Sequence, residues 1–288
     1  MTGYRAPGKL FLVGEYAVLD GAPAVVAAID RGVRVEVGPG DSITTPGGDD
    51  RFVRAALQAV QGPARAWVFE DWNPTELGGR KAGFGGSAAA TAVACLAGLM
   101  ERGASLDALE ATAVAVHHQV QGSGSGLDVR ASVNGWVRRY DAASAGPALD
   151  DLPPLSVIYS GSSAKTGPRV LRYRAWTDRA AFVDASAELV DRLPEHPVET
   201  FDDAWALLCR MGQAAGVDYA TPGLQRIVAL ARDHGGAAKA SGAGGGDVAV
   251  ALIPDADARA SFEAACSQEG LTPLSVRIAP GAALEPHA

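Results

Sequence analysis

Cysteine is scarce in this chain. Its three thiols, Cys95, Cys209 and Cys266, lie far apart, their number is odd, and no C-x-x-C pair or Cys/His cluster joins them. Buried, reduced thiols are expected, as in a reducing cytoplasm. Aromatic residues make up only 6% of the sequence, which suits a fold of small residues with backbone-lined loops. No run of ~18 apolar residues is free of charge, so no membrane span is expected. The first residues meet Pro7, Gly8, Lys9 and Glu15 before any long apolar stretch, unlike a leader peptide. Positive charge is in deficit too. A net charge of −8 argues against nucleic-acid binding by the protein as a whole. Any bound anion needs a local basic pocket. There is no repeat of fixed period, and nothing specifies an oligomeric state.

What the chain does have is glycine, 35 in 288 residues, beside a hydrophobic content of 48%. That content suffices for a packed core, and the length fits one large or two ordinary domains. Residues 4–37 read as strands with a polar interruption: apolar runs at 9–13 and 24–29, then clean alternation at 33–37. Helical spacing follows at 52–61 and a strand at 67–69. A small, apolar helix runs to Met100 with no breaker before Gly98, and another covers 106–121 with Ser105 as its N-cap. Residues 131–140 read as strand. The small, acidic, Pro-rich stretch 141–154 marks a domain boundary, dividing the chain into 1–150 and 151–288. Beyond it come a strand at 155–159, helices at about 177–193, 199–215 and 221–234, a strand at 248–253, a helix at about 255–268 and a strand at 274–278. The tail from Pro280 is expected to fray. The pattern is that of a two-lobe α+β chain.

Three glycine clusters stand out. The first is Lys81-Ala82-Gly83-Phe84-Gly85-Gly86-Ser87-Ala88-Ala89. Such a loop frees backbone N–H groups, and the helix start adds unpaired donors and partial positive charge. It is either a phosphate cradle or a tight turn into an Ala-rich core helix. Ser87 can cap that helix or hold a phosphate-bound Mg²⁺. The lysine precedes the glycines, so this is no Walker A loop, and a dinucleotide fingerprint would need a strand directly before it. The second cluster, Gly124-Ser125-Gly126-Leu127-Asp128, offers an acid that can serve as general base, metal ligand or loop cap. The third, Lys239-Ala240-Ser241-Gly242-Ala243-Gly244-Gly245-Gly246-Asp247, is either a site of close backbone approach or a flexible hairpin. Lys9 sits inside an apolar strand run. It either snorkels to the surface or points into a cleft, where Asp128 can pair with it.

The order of these motifs resembles the GHMP small-molecule kinases, named for galactokinase, homoserine kinase, mevalonate kinase and phosphomevalonate kinase. Their first motif is similar to residues 6–19 (APGKLFLVGEYAVL), their phosphate loop to 83–89 and their third motif to 239–247. The three span nearly the whole chain in family order. Within the family the pattern is most similar to the phosphomevalonate kinases. Lys81 stands two residues before the loop, His118, Gln119 and Gln121 lead into Gly124-Ser125-Gly126-Leu127-Asp128-Val129, and Lys239 opens the third motif. Mevalonate kinases carry a metal-binding glutamate on the helix before the aspartate. Counting back from Asp128, this chain has His117 and His118 there and no acid. The loop also departs from the family's usual Gly-Leu-Gly-Ser-Ser, because Gly86 removes one hydroxyl.

The resemblance implies an N-terminal lobe like domain 2 of ribosomal protein S5 and a ferredoxin-like C-terminal lobe. It implies ATP and Mg²⁺ as cofactors, and transfer of the γ-phosphoryl group to a small phosphate-bearing acceptor, 5-phosphomevalonate, in isoprenoid synthesis. Alternatives are phosphorylation of mevalonate's 5-hydroxyl, decarboxylation of diphosphomevalonate, or a ligand-sensing protein of this fold without catalysis. Lys9 and Asp128 would be catalytic. Lys81, Gly83, Phe84, Gly85, Gly86, Ser87, Ala88 and Ala89 would hold the nucleotide. Ser87 is the best metal ligand, ahead of Glu15 and Asp247. Ser125, Gly126, Lys239, Ser241, Gly242, Ala243 and Gly244 would join Lys9 and Asp128 around the acceptor, with Ser162, Ser163, Lys165 and Arg169 as further contacts.

Overall fold

Two long antiparallel strands, β1 (Thr2–Val13) and β2 (Ala24–Gly38), begin the chain. The structure is a computed structural model describing residues 1–71, 77–78, 82–122, 124–142, 144–163 and 166–285. The runs at 24–29 and 33–37 form one strand, because the polar interruption lies opposite a register shift at Pro7/Gly8 in β1. At this shift Pro7 pairs with Gly32 and Gly8 with Ile29, so Asp30 and Arg31 are two extra residues in β2, and an even insertion keeps the alternation of both strands in phase. Tyr4 and Ala6 before it enter one core with Val33, Val35, Trp67 and Phe69. Leu10 and Leu12 after it enter a different core, with residues of the C-terminal half. Lys9 and Phe11 alternate with these on the opposite side of the strand, where Phe11 packs on Leu127 and Ala131.

The first sheet continues with β3 (Ile43–Thr44), β4 (Ala66–Asp71), β5 (Val137–Tyr140) and β6 (Ala145–Ala148). Packed with it are α1 (Arg51–Ala59), α2 (Gly86–Glu101), α3 (Leu109–Gln121) and α4 (Leu127–Asn134). α2 is buried along most of its length, which explains its Ala, Val and Leu composition and lack of a polar face. Gly98 does not break it. A Cβ there would lie 2.6 Å from Val60 Cγ2, so the missing side chain allows close packing on the segment after α1.

The second sheet contains β7 (Leu155–Tyr159), β8 (Ala237–Ala240), β9 (Val248–Leu252) and β10 (Thr272–Leu274), in the antiparallel order β10-β7-β9-β8. α5 (Thr166–Ala175), α6 (Ala180–Arg192), α7 (Pro197–Ala215) and α8 (Pro222–Asp233) lie between β7 and β8, and α9 (Ala256–Gln268) between β9 and β10. Helices in the first and last connections, with β8 and β9 joined directly, give the ferredoxin-like arrangement. The two-lobe α+β expectation holds at this level.

Several local expectations do not. Residues 131–134 belong to α4, not to a strand. Val129, Ala131 and Val133 alternate as a strand would, but Gly126, in the left-handed region at φ 75°, starts a helix that packs on β1 and α2. Ser105 accepts a hydrogen bond from the Asp107 N–H, three residues before the N-cap of α3 at Ala108. α5 was not anticipated, since its residues are largely polar and exposed. The strand expected at 274–278 is instead Thr272–Leu274. Nor does the tail fray through residue 285. Pro280 bridges Gly135, and β11 (Ala283–Leu284) pairs with β1. The unit expected at 151–288 thus loses its end to the first sheet. No helix among the described residues is long and apolar enough to cross a membrane. The three thiols are free, and burial pushes Cys95 and Cys266 up to about 12.

Candidate active site

Lys9 is the meeting point. Its backbone N–H donates to the Phe84 carbonyl at 2.9 Å, joining β1 to the first glycine loop. Its side chain is buried, with Nζ 3.8 Å from Asp128 Oδ2 and 5.2 Å from the Phe11 ring centre. The lysine therefore points inward rather than snorkelling. Gly85 has φ 78°, and a Cβ there would fall 3.3 Å from the Lys9 side chain and 3.8 Å from Asp128 Oδ2. A larger residue would be both strained and pressed against the pair.

Two cavities flank this point. One, of about 130 Å³, is lined by Lys9, Glu15, His117, Ser125, Gly126 and Asp128, with Gly242 and Ala243 from the third loop and Thr166 and Val170 from α5. The other, of about 440 Å³, is lined by residues 82–87, by Thr45 to Pro46, and by Asp49, Arg51 and Phe52. Gln121 lines both.

The first loop ends at Gly85, the N-cap of α2. Ser87 is thus inside the first turn and does not cap the helix. The N–H groups of Ala88 and Ala89 turn back to the Gly85 carbonyl at 3.0 and 3.1 Å, and both side chains are buried. That withdraws Ala88 and Ala89 from direct anion contact. The N–H groups of Gly86 and Ser87 have no acceptor among the described residues, and they carry the positive end of the helix. Ser87 Oγ lies 3.2 Å from His117 Nε2. Burial holds the His117 imidazole below its usual pKa, against the nearby Asp128 charge. Lys81 and Lys165 lie outside the described residues.

The second loop puts Asp128 in the first turn of α4, where a carboxylate is favourable. Ser125 Oγ accepts from the Leu127 N–H at 3.3 Å while lining the smaller cavity. From the third loop, Ser241 Oγ accepts from the Phe11 N–H at 2.9 Å, which leaves its own proton to donate.

Lys239 departs from its expected role. It is fully buried and paired with the carboxylate of Glu15, and it also donates to the Ala240 carbonyl at 2.7 Å. Burial lowers its pKa and Glu15 opposes that. The pair ties β8 to the end of β1, so its ammonium is not presented to an acceptor. Glu15 in turn accepts from the Gly242 N–H at 3.3 Å, and Asp247 lies against Gly83. Both weaker metal candidates are therefore packed between motifs. Gly244 is filled by the Tyr219 ring, which a Cβ would approach to 2.2 Å. Ser162 accepts from the Asp247 N–H at 2.7 Å, and Arg169 packs on Gly245, so both brace the third loop. Ser163 is exposed. Val170 and the wall at 45–51 had no sequence signal, since they come from an unanticipated helix and a polar loop.

A glycine-loop helix and a lysine–aspartate pair thus lie between two cavities, the smaller lined by both halves of the chain and the larger by residues between 33 and 121, an arrangement suited to phosphoryl transfer. Comparisons with known proteins agree. The family model described as GHMP kinases C terminal matches residues 193–270. The phosphomevalonate kinase of Streptomyces sp. is 30% identical, the match covering 89% of this chain and 92% of that protein. The chain belongs to the GHMP kinase family. A mevalonate kinase of Pyrococcus abyssi is 26% identical over 95% of this chain and 94% of its own. Among solved structures, Streptococcus pneumoniae phosphomevalonate kinase in complex with phosphomevalonate and AMPPNP superimposes with a TM-score of 0.81 at 22% identity, covering 97% of this chain and 100% of that one.

Proposed function

We propose that this kinase transfers the γ-phosphoryl group of ATP to 5-phosphomevalonate, with the nucleotide phosphates over residues 83–87 and the acceptor in the smaller cavity. The observation that carries the reading is the position of Lys9 beside Asp128 in the smaller cavity, against Gly85, which lines the larger one. An ammonium there faces the phosphoryl group from either side. At ~4 Å and an effective dielectric of about 20, one such charge pair gains ~4 kcal/mol.

Catalysis of this kind rests on positioning and charge neutralisation. An acceptor phosphate is already largely ionised near neutral pH, so it needs no strong base. Asp128 then orients Lys9, and Ser125 and Ser241 donate hydrogen bonds to the acceptor. The donor set suits Mg²⁺ brought in by the nucleotide: no cluster of three His, Cys, Asp or Glu occurs among the described residues, and Ser87 offers one hydroxyl. Bound there, Mg²⁺ supplies charge neutralisation on the phosphate oxygens. On this reading the lobes divide at about residue 150, with β11 returned to the first sheet, and the chemistry lies between them.

One observation favours a second reading, mevalonate as acceptor. Among the described residues lining the smaller cavity, Lys9 is the only lysine or arginine. An alcohol acceptor carries less charge but must lose a proton, which makes Asp128 a general base. ADP release measured with mevalonate, 5-phosphomevalonate and 5-diphosphomevalonate separates the readings. We expect turnover with 5-phosphomevalonate, a rate nearly flat above pH 7, and a loss below about 10-fold in Asp128→Asn. A loss of about 10²–10⁴ with mevalonate as the best substrate reverses the choice. CO₂ release with the diphosphate overturns both.

A further inference from the structure

His117 sits on the wall between the two cavities and is absent from the chemistry described so far. It is 4% exposed, on the α3 face that carries Gln121 one turn later. Two contacts hold its ring. Phe52 stacks on it, with ring centres 5.2 Å apart and planes at 30°. Ser87 Oγ lies 3.2 Å from Nε2. Phe52 and Ser87 both line the larger cavity, whereas His117 lines the smaller one.

A serine hydroxyl has three staggered positions, and its proton rotates freely unless an acceptor captures it. Ser87 is in the first turn of α2, so its oxygen either faces the cavity or turns back on the helix. We propose that His117 is a positioning residue for Ser87. Its Nε2 accepts the hydroxyl proton, fixes the rotamer and leaves the oxygen lone pairs facing the site where a nucleotide-bound divalent cation sits. Phe52 sets the plane of the ring, so the nucleotide pocket itself holds the imidazole in register. Outer groups that orient a ligand in this way are worth roughly 10–100-fold in cation affinity. The inference rests on reading the 83–87 cavity as the nucleotide site.

The test is calorimetric binding of AMPPNP to the whole protein, with Mg²⁺ and with EDTA, for wild type, His117→Phe, His117→Gln, Ser87→Ala and the double variant His117→Phe/Ser87→Ala. Phenylalanine keeps the stacked ring and removes the acceptor. Glutamine keeps an acceptor near the Nε2 position and guards against misfolding of the first variant. We expect His117→Phe to lose about 10-fold in affinity with Mg²⁺ and to match wild type in EDTA. His117→Gln should recover most of that loss. Ser87→Ala should lose a similar factor, and the double variant should lose no more than Ser87→Ala alone, since both act through one hydroxyl. Equal Mg²⁺-dependent affinities in wild type and His117→Phe overturn the proposal. So do additive losses in the double variant. With Mn²⁺ in place of Mg²⁺, an electron spin-echo signal from imidazole nitrogen that vanishes in His117→Phe makes the ring a direct ligand, which also overturns it. Failure of wild type to bind AMPPNP under either condition overturns instead the nucleotide reading.

Discussion

The first and third glycine loops have similar composition and differ in how far the protein fills their missing side chains: the first meets Asp247 at Gly83 and Lys9 at Gly85 but is open at Gly86. In the first, nothing lies within 4 Å of where a Gly86 side chain would be, and the helix N–H groups beside it face a cavity. In the third, missing side chains are filled by the protein itself: the Tyr219 ring at Gly244, the Arg169 guanidinium at Gly245, the Ser162 carbonyl at Gly246. The lysines divide in the same way. Lys9 lines a cavity beside a half-exposed aspartate, whereas Lys239 is sealed with Glu15. One glycine loop lines an open cavity. The other is a joint, whose outer rim at Gly242 and Ala243 still reaches the smaller cavity.

The sharpest way to break this contrast is to exchange the lysines' expected penalties. Lys239→Met leaves the Glu15 charge buried and unpaired, which should cost about 3–5 kcal/mol of unfolding free energy in urea titrations. Adding Glu15→Gln should restore most of it. A loss under about 1 kcal/mol in the single variant would mean that Lys239 is not the structural half of the comparison. Lys9→Met should do the reverse. We expect kcat to fall about 10²–10³-fold, with an unchanged fold by circular dichroism.

The loops themselves come next. Gly244→Ala presses a methyl into the Tyr219 ring at φ 67°, and overpacking of this kind costs about 1–3 kcal/mol. Gly86→Ser meets open space and an ordinary backbone, so its stability should stay within about 0.5 kcal/mol of wild type. Equal thermal shifts in the two variants would erase the distinction between surface and joint.

The smallest effect belongs to the clamp that continues the joint onto α5. Asp20 accepts from Tyr173 at 2.6 Å and from Arg179 at 2.9 Å. Burial pushes its carboxyl up, but these hydrogen bonds and the Arg179 charge outweigh it and hold the pKa below the ordinary value. A depressed carboxyl adds stability above its unfolded pKa of about 4 and loses it as pH falls through the folded value. Asp20→Asn should therefore be less stable than wild type at pH 7. The gap between their urea midpoints should close toward pH 3, and a gap independent of pH would remove the clamp.

Much of this molecule was legible beforehand. The helical spacing at 52–61 and 199–215 and the alternation at 33–37 each had a face that burial could use, and each appears as an element of the expected type. The segment at 131–134 misled because its alternation reports one buried side but not which period buries it. Its helix depends on Gly126 and on packing against α2 and β1. Lys9, Asp128, Ser125 and Ser241 were visible as residues around glycine. His117 was visible only as standing where an acid was looked for, since a histidine on a helix has no local reason to touch a serine 30 positions earlier.

Composition and local pattern, then, were enough to specify a small-residue α+β chain with three backbone-lined loops, because glycine and periodicity act over a few residues. Which loop would open to a ligand and which would be packed shut was decided only in three dimensions. A missing Cβ is a site or a joint according to what occupies its space, and here the occupants, Tyr219, Arg169 and Ser162, come from distant parts of the chain.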